Sequence, residues 1–342
     1  MKPENNWKLN IMTDLAIEAA ELLSAEETEE QTDEDDEFDG VTIDVTEKEL
    51  NQASVKTTWI EILNADGAKK MGKPVGNYVT VESTSMKEND PETHEEIIKI
   101  LSDQLVKLRK LDKNSLILVI GLGNWHVTPD ALGPKVISKI LVTRHMMAAL
   151  PEELEQTVRP VSAVTPGVMG LTGIETGEIV KGIVDRTKPD LVIAVDALAA
   201  RHANRVNATI QLADTGISPG AGMGNRRMAV NAETLGIPVI AIGVPTVVDA
   251  ATLVNDSLDM MLSSMIDELP EGSAFFEMLN NLESEEKYAL IKKILDPYTG
   301  NMFVAPKEVD AVIERLSNII ANAINIALHP GITKDDINRY LY

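Results

Sequence analysis

Two stretches of this chain, SLILVIG at 115–121 and DLVIAVD at 190–196, are nearly unbroken runs of apolar residues without the alternation of a half-exposed strand. A strand with no polar face is buried on both sides, which happens where helices cover both faces of a parallel sheet. Around these runs the pattern predicts helices at roughly 130–148, 175–187 and 246–268, and further strands near 158–164, 207–213 and 238–243. The alternation predicts an α/β fold, a mainly parallel twisted sheet flanked by helices on both faces. Residues 41–82 differ, because VTIDV, TTWIEIL and NYVTVES alternate apolar and polar between the turn signals Asp66-Gly67 and Gly72-Lys73-Pro74. They predict a small antiparallel β unit on the N-terminal side, followed by a helix from about Pro91 to Lys110. Near the C-terminus, Val309, Val312, Ile313, Leu316, Ile319, Ile320 and Ala323 recur at helical spacing and predict a packing face.

The N-terminal region reads differently again. DLAIEAAELL at 14–23 is helix-prone, but ten acidic residues follow between Glu26 and Asp39 with no basic residue among them. Such a run cannot bury itself, so 15–40 is expected to be a mobile acidic arm ahead of a single α/β domain over 41–342. The formal charge of −23 makes the average surface repel phosphate, and no basic patch offsets it, so direct nucleic-acid binding is not expected. The absence of cysteine excludes disulfides, thiolate metal sites and cysteine nucleophiles. There is no run of 18 apolar residues and no apolar signal core in MKPENNWKLNIMTD, so the expectation is a cytoplasmic protein without a membrane partner.

In an open parallel sheet, reactive groups collect at the carboxyl ends of strands, where loops meet helix starts. Two aspartates occupy such places: Asp130 in LILVIGLGNWHVTPDALGP and Asp196 in LVIAVDALAARHANR. Each also has a structural explanation. Thr128-Pro129-Asp130 is a good helix N-terminus, and Asp196 could cap a short helix through Ala197–Ala200. Spacing leaves both readings open. If both carboxyls face one cleft, they cannot ionise together; one could take a proton from water while the other protonates or polarises a scissile carbonyl.

Other motifs carry less. Asp214-Thr215-Gly216 matches the tripeptide of pepsin-type proteases, but it occurs once in an α/β pattern and reads better as a turn. Gly121-Leu122-Gly123-Asn124 and Gly220–Gly224 lack a complete dinucleotide or Walker spacing and read as tight loops. Among five histidines there is no HExxH, although His126 and His202 lie near the two aspartates and leave a metal held by Asp130, Asp196 and a histidine conceivable.

The same segments resemble the germination protease family of spore-forming bacteria. The matching blocks are GLGN with VTPDALGPK, LVTRH, RPVSAVTPGVMGLTGIET, VIAVDALAAR, RVNATIQLADTGISPGAGMGNRR and ETLGIPVIAIGVPTVVDA, covering about 115–250, with VAPKEVD and ALHPG beyond. The resemblance implies a fold similar to that of hydrogenase maturation proteases and an endopeptidase, made as a homotetrameric zymogen, acting on small acid-soluble spore proteins in the spore core. It carries the family's two implicated aspartates onto Asp130 and Asp196, with no cofactor and no bound metal. It also implies removal of an N-terminal propeptide, and Met12–Glu18 (MTDLAIE) fits a cut between Asp14 and Leu15, making 1–14 the propeptide. An acidic residue before the cut would suit a cationic subsite, for which Arg144, Arg201, Arg226 and Arg227 are the candidates near the matched blocks.

Overall fold

The computed structural model describes residues 14–29, 40–50, 53–149, 157–219, 227–268, 284–299 and 302–332. Nine strands form one sheet: β1 (Val41–Glu49), β2 (Ser54–Ile62), β3 (Gly76–Glu82), β4 (Ile117–Gly121), β5 (Val161–Val164), β6 (Leu191–Ala200), β7 (Thr209–Ala213), β8 (Val239–Asp249) and β9 (Phe303–Val304). Their order is β1-β2-β3-β7-β8-β6-β4-β5, with β9 pairing β8. The four strands β8, β6, β4 and β5 are parallel, and the remaining pairings are antiparallel.

The unbroken apolar runs follow from two covered faces. On one face, Ile117, Val119, Leu191, Ile193 and Val195 pack with α3 (Pro91–Leu108), α4 (Leu132–Ile137) and α10 (Val309–Leu328). On the other, Leu118, Ile120, Val192 and Ala194 pack with Val180 and Val184 of α6 (Thr176–Thr187) and Leu235 of α7 (Ala232–Leu235). Side chains alternate between faces along a strand, so a sheet covered on both sides needs apolar residues at every position. α3 begins as its sequence requires, with Asp90 accepting from the Thr93 N–H and Pro91 in the first turn. α10 is long and apolar enough to cross a membrane, yet Leu316, Ile319, Ile320 and Ile324 are buried against the sheet.

The antiparallel part reaches further than the sequence pattern indicates. The 41–82 unit is not a separate lobe, because β3 pairs with β7 from Tyr78↔Ala213 to Glu82↔Thr209 and so continues the central sheet. The helix expected at 130–148 is instead a three-residue turn, Thr128–Asp130, then α4, and a second three-residue turn at Met147–Ala149. Side chains and backbone from elsewhere claim the next amides: Leu141 N–H goes to Asn325 Oδ1 of α10, and Thr143 and Arg144 N–H both go to Val161 O. The strand expected to end at Asp196 runs on to Ala200, and the helix expected from 246 starts at Ala250, because β6 and β8 stay paired through Ala200↔Val248.

The arm expected at 15–40 also begins differently. α1 (Ala16–Glu29) is preceded by Leu15, and Leu15, Ala16, Ile17, Ala19 and Ala20 are buried against Ile60, Ile62, Tyr78, Leu198 and Ala213. This contact lies on the α6 and α7 side of the sheet, where even-numbered residues of β6 point. The start of the arm is therefore core; residues 30–39 lie outside those described.

Candidate active site

Asp130 is positioned by glycines that no other residue replaces without movement. After β4 the chain turns at Gly123, whose φ of +106 favours glycine and where a Cβ would fall 2.1 Å from the Asp130 carbonyl oxygen. That closeness lets Asn124 N–H reach Asp130 twice, at Oδ2 (2.8 Å) and at the carbonyl oxygen (3.1 Å). A Cβ on Gly133 would lie 2.3 Å from Leu122 O and 2.6 Å from Val195 O, so the start of α4 presses against both the β4 loop and the residue before Asp196. The GLGN segment is thus a tight loop that brings the two aspartates into one neighbourhood.

Asp196 sits within β6, between Ala194 under α6 and Leu198 under α1, and is 6% exposed. Its Oδ1 accepts the Ala197 N–H at 2.9 Å. Burial and then the Asp130 charge, with a smaller push from Asp14, hold its carboxyl well above the usual carboxylate range, against the Ala197 hydrogen bond and Arg227. Burial also raises Asp130, opposed by the Asn124 N–H and Arg227. Neither aspartate caps a helix: β6 continues through Asp196, and α4 has no side-chain cap. Asp196 is buried and Asp130 half-buried, and the Asp130 charge disfavours a second negative charge on Asp196.

Asp14 and Leu15 are brought to the same place. The Asp14 carbonyl oxygen accepts from Lys73 Nζ (3.0 Å) and Gln211 Nε2 (3.2 Å), while the Gln211 Oε1 accepts the Ala16 N–H (2.6 Å). Asp14 Oδ2 accepts the Ala199 N–H at 3.3 Å, three residues past Asp196. Burial raises the Asp14 carboxyl, Lys73 and the Ala199 hydrogen bond oppose this, and Glu18 adds to it. Beyond Asp14, α1 is tied down by charge. Arg205, almost fully buried, faces Glu18 and Glu21 of α1 and Glu82 of β3, and Glu18 also accepts the Arg201 and His202 N–H groups.

Of the four arginines proposed from sequence, Arg227 acts on both Asp130 and Asp196. Arg144 is exposed. Arg201 faces Glu18, Tyr288 and Asp256. Arg226 lies outside the described residues, as do Gly220–Gly224. The cation beside the Asp14 carboxyl is instead Lys73, whose ammonium burial holds below the usual lysine range, against the pull of Asp14 and Glu18. No motif marked Lys73 or Gln211: the first read as turn punctuation, the second as one polar residue in a strand. Asp214 accepts Asn77 N–H and Nδ2 in the turn after β7, which is a structural role for that tripeptide. His202 lies 3.8 Å from Asp256, and among the described residues no three such side chains group as metal ligands.

The germination protease family model matches residues 16–274 and 264–341. The germination protease of Clostridium perfringens (strain ATCC 13124) is 49% identical over 332 residues, covering 97% of this chain and 99% of that protein. That of Clostridium tetani is 48% identical over 333 residues, covering 97% and 100%, and that of Geobacillus sp. (strain WCH70) 42% over 367 residues, covering 97% of each. Among solved structures, a NiFe hydrogenase maturation protease from Thermococcus kodakarensis is similar at 17% identity with a TM-score of 0.29, covering 66% of this chain and 98% of that one.

Proposed function

This chain belongs to the germination protease family, a spore germination endopeptidase by that membership, and from that premise we propose that Asp130 and Asp196 activate the water that cuts its substrates. The observation that carries the reading is two raised carboxyls on converging segments, a half-buried Asp130 and a buried Asp196 that the Asp130 charge pushes further up. With one proton between them, the ionised carboxyl takes a proton from water as its oxygen adds to the peptide carbonyl. The protonated partner then gives its proton to the departing nitrogen as the C–N bond breaks. Which aspartate starts ionised is a property of the pair and can differ between substrates.

The substrates in this reading are small acid-soluble spore proteins, cut after an acidic residue and before an apolar residue plus alanine, in the cytoplasm of the spore core. Asp14-Leu15-Ala16 has that pattern, and its placement beside the aspartate pair supports 1–14 as a propeptide removed by the chain itself, leaving the α/β domain over 41–342 as the catalytic unit. Trp125 and Val127 after β4, and Met169, Leu171 and Ile174 after β5, are exposed apolar side chains beyond the carboxyl ends of two neighbouring parallel strands, which suits an extended peptide or the neighbouring subunits of a homotetramer. Mild acid is the natural trigger, since Asp14, Asp130 and Asp196 all hold protons more tightly than ordinary aspartates.

The test is release of residues 1–14 from the purified chain after mild acidification, followed by intact mass, with and without a chelator. Asp130→Asn and Asp196→Asn should each abolish it. Release by either variant at the wild-type rate assigns that aspartate a structural role, and loss on chelation moves the chemistry to a metal.

A further inference from the structure

The Asp14 carbonyl oxygen has two donors from different elements. Lys73 comes from the turn between α2 (Ala65–Met71) and β3, and Gln211 from the middle of β7. The carbonyl is held by two side chains from separate elements, Gln211 buried and Lys73 partly buried, and Gln211 additionally fixes the Ala16 N–H on the far side of the Asp14–Leu15 bond. Leu15 between them is wholly buried, so the peptide unit is held by its carbonyl, by its side chain and by the next amide.

We propose that Lys73 and Gln211 are catalytic residues for the chain's own cleavage at Asp14–Leu15, donating hydrogen bonds to the carbonyl oxygen as it becomes an oxyanion. This rests on the cut between Asp14 and Leu15 proposed above. Water oxygen bonds to the Asp14 carbonyl carbon, its proton passes to the ionised aspartate, and the carbonyl π pair moves onto the oxygen facing Lys73 and Gln211. The pair returns as the C–N bond breaks and Leu15 nitrogen takes the proton of the other aspartate. Donors already aimed at that oxygen in a water-poor site require no reorganisation as charge develops. The Lys73 position also explains an acidic residue before the cut, since its ammonium faces the Asp14 carboxyl as well as the carbonyl.

The test uses the full chain with two variants. Lys73→Met keeps the stem and removes the donor; Gln211→Glu keeps an oxygen for the Ala16 N–H and removes the donor to Asp14. Release of residues 1–14 should slow by ~10²–10³ in each, with amide hydrogen exchange in α1 unchanged. Wild-type rates in both variants, while Asp196→Asn is inactive, overturn this inference and leave the aspartate reading intact. Slowing that tracks lost protection of α1 also overturns it, because the residues would then only dock the segment. A wild-type chain that never cuts after Asp14 overturns the cleavage reading and this inference together. If Lys73→Met fails to fold, Gln211→Glu decides.

Discussion

Asp196→Asn should make the protein more stable at neutral pH while removing its activity. Asparagine has nearly the same volume and retains an oxygen to accept the Ala197 N–H, held at 2.9 Å, but it carries no charge to bury beside Asp130. A carboxyl whose folded pKa lies above its unfolded value of 3.8 contributes stability that is fully present below that value and lost as pH rises through the folded pKa. At neutral pH the native pair is therefore on its penalised side. Each unit of raised pKa is worth ~1.4 kcal/mol, but in the proposed reading the pair shares a proton, and the new amide brings its own donors, so a net gain of ~1–2 kcal/mol is expected. For a domain of this size that is roughly 1–3 °C in thermal midpoint. Calorimetry across a pH series is the assay, and the difference between variant and wild type should narrow as the solution is acidified. A variant less stable than wild type at neutral pH, or a difference independent of pH, refutes the argument that Asp196 is held at a cost.

Removing Arg205 should detach α1, since Glu18, Glu21 and Glu82 would be left facing each other: Arg205→Met should cost ~3–5 kcal/mol, read as faster hydrogen exchange in residues 16–29 and a lower thermal midpoint. Burial pushes Glu21 up, but Arg205 outweighs it and holds the carboxyl below its ordinary 4.5, so this contact keeps its contribution through mild acid and loses it only as the pH falls below that value. Leu15→Ala should open a cavity under the sheet and cost ~2–5 kcal/mol, seen in the same exchange experiment, with slower release of residues 1–14.

Much of the fold could be read because one physical constraint wrote it. Apolar runs at 115–121 and 190–196 demanded cover on both faces, and the helix expected from about Pro91 is α3. What could not be read was decided by partners distant in sequence. Asn325 takes the amide of Leu141 and stops a helix that local pattern extends, and the pairing with β8 carries β6 past Asp196, where a strand end was expected. The site divides in the same way. Asp130 and Asp196 stood out as candidates because each adjoins an apolar run of the parallel core, Asp130 in the loop after β4 and Asp196 inside β6; Arg227 was one of several arginines until the fold set it by the pair. Lys73 and Gln211 had no signal, since each matters only through the Asp14 carbonyl that folding brings to it.

The central claim is that Asp130 and Asp196 are one coupled pair, and the most direct measurement is the side-chain carboxyl titration of Asp196 by carbon-13 NMR in the wild type and in Asp130→Asn, assigned by comparison with Asp196→Asn. The account predicts a midpoint well above 3.8 in the wild type that falls when Asp130 loses its charge. A midpoint near 3.8, or a raised one that Asp130→Asn leaves unmoved, contradicts it.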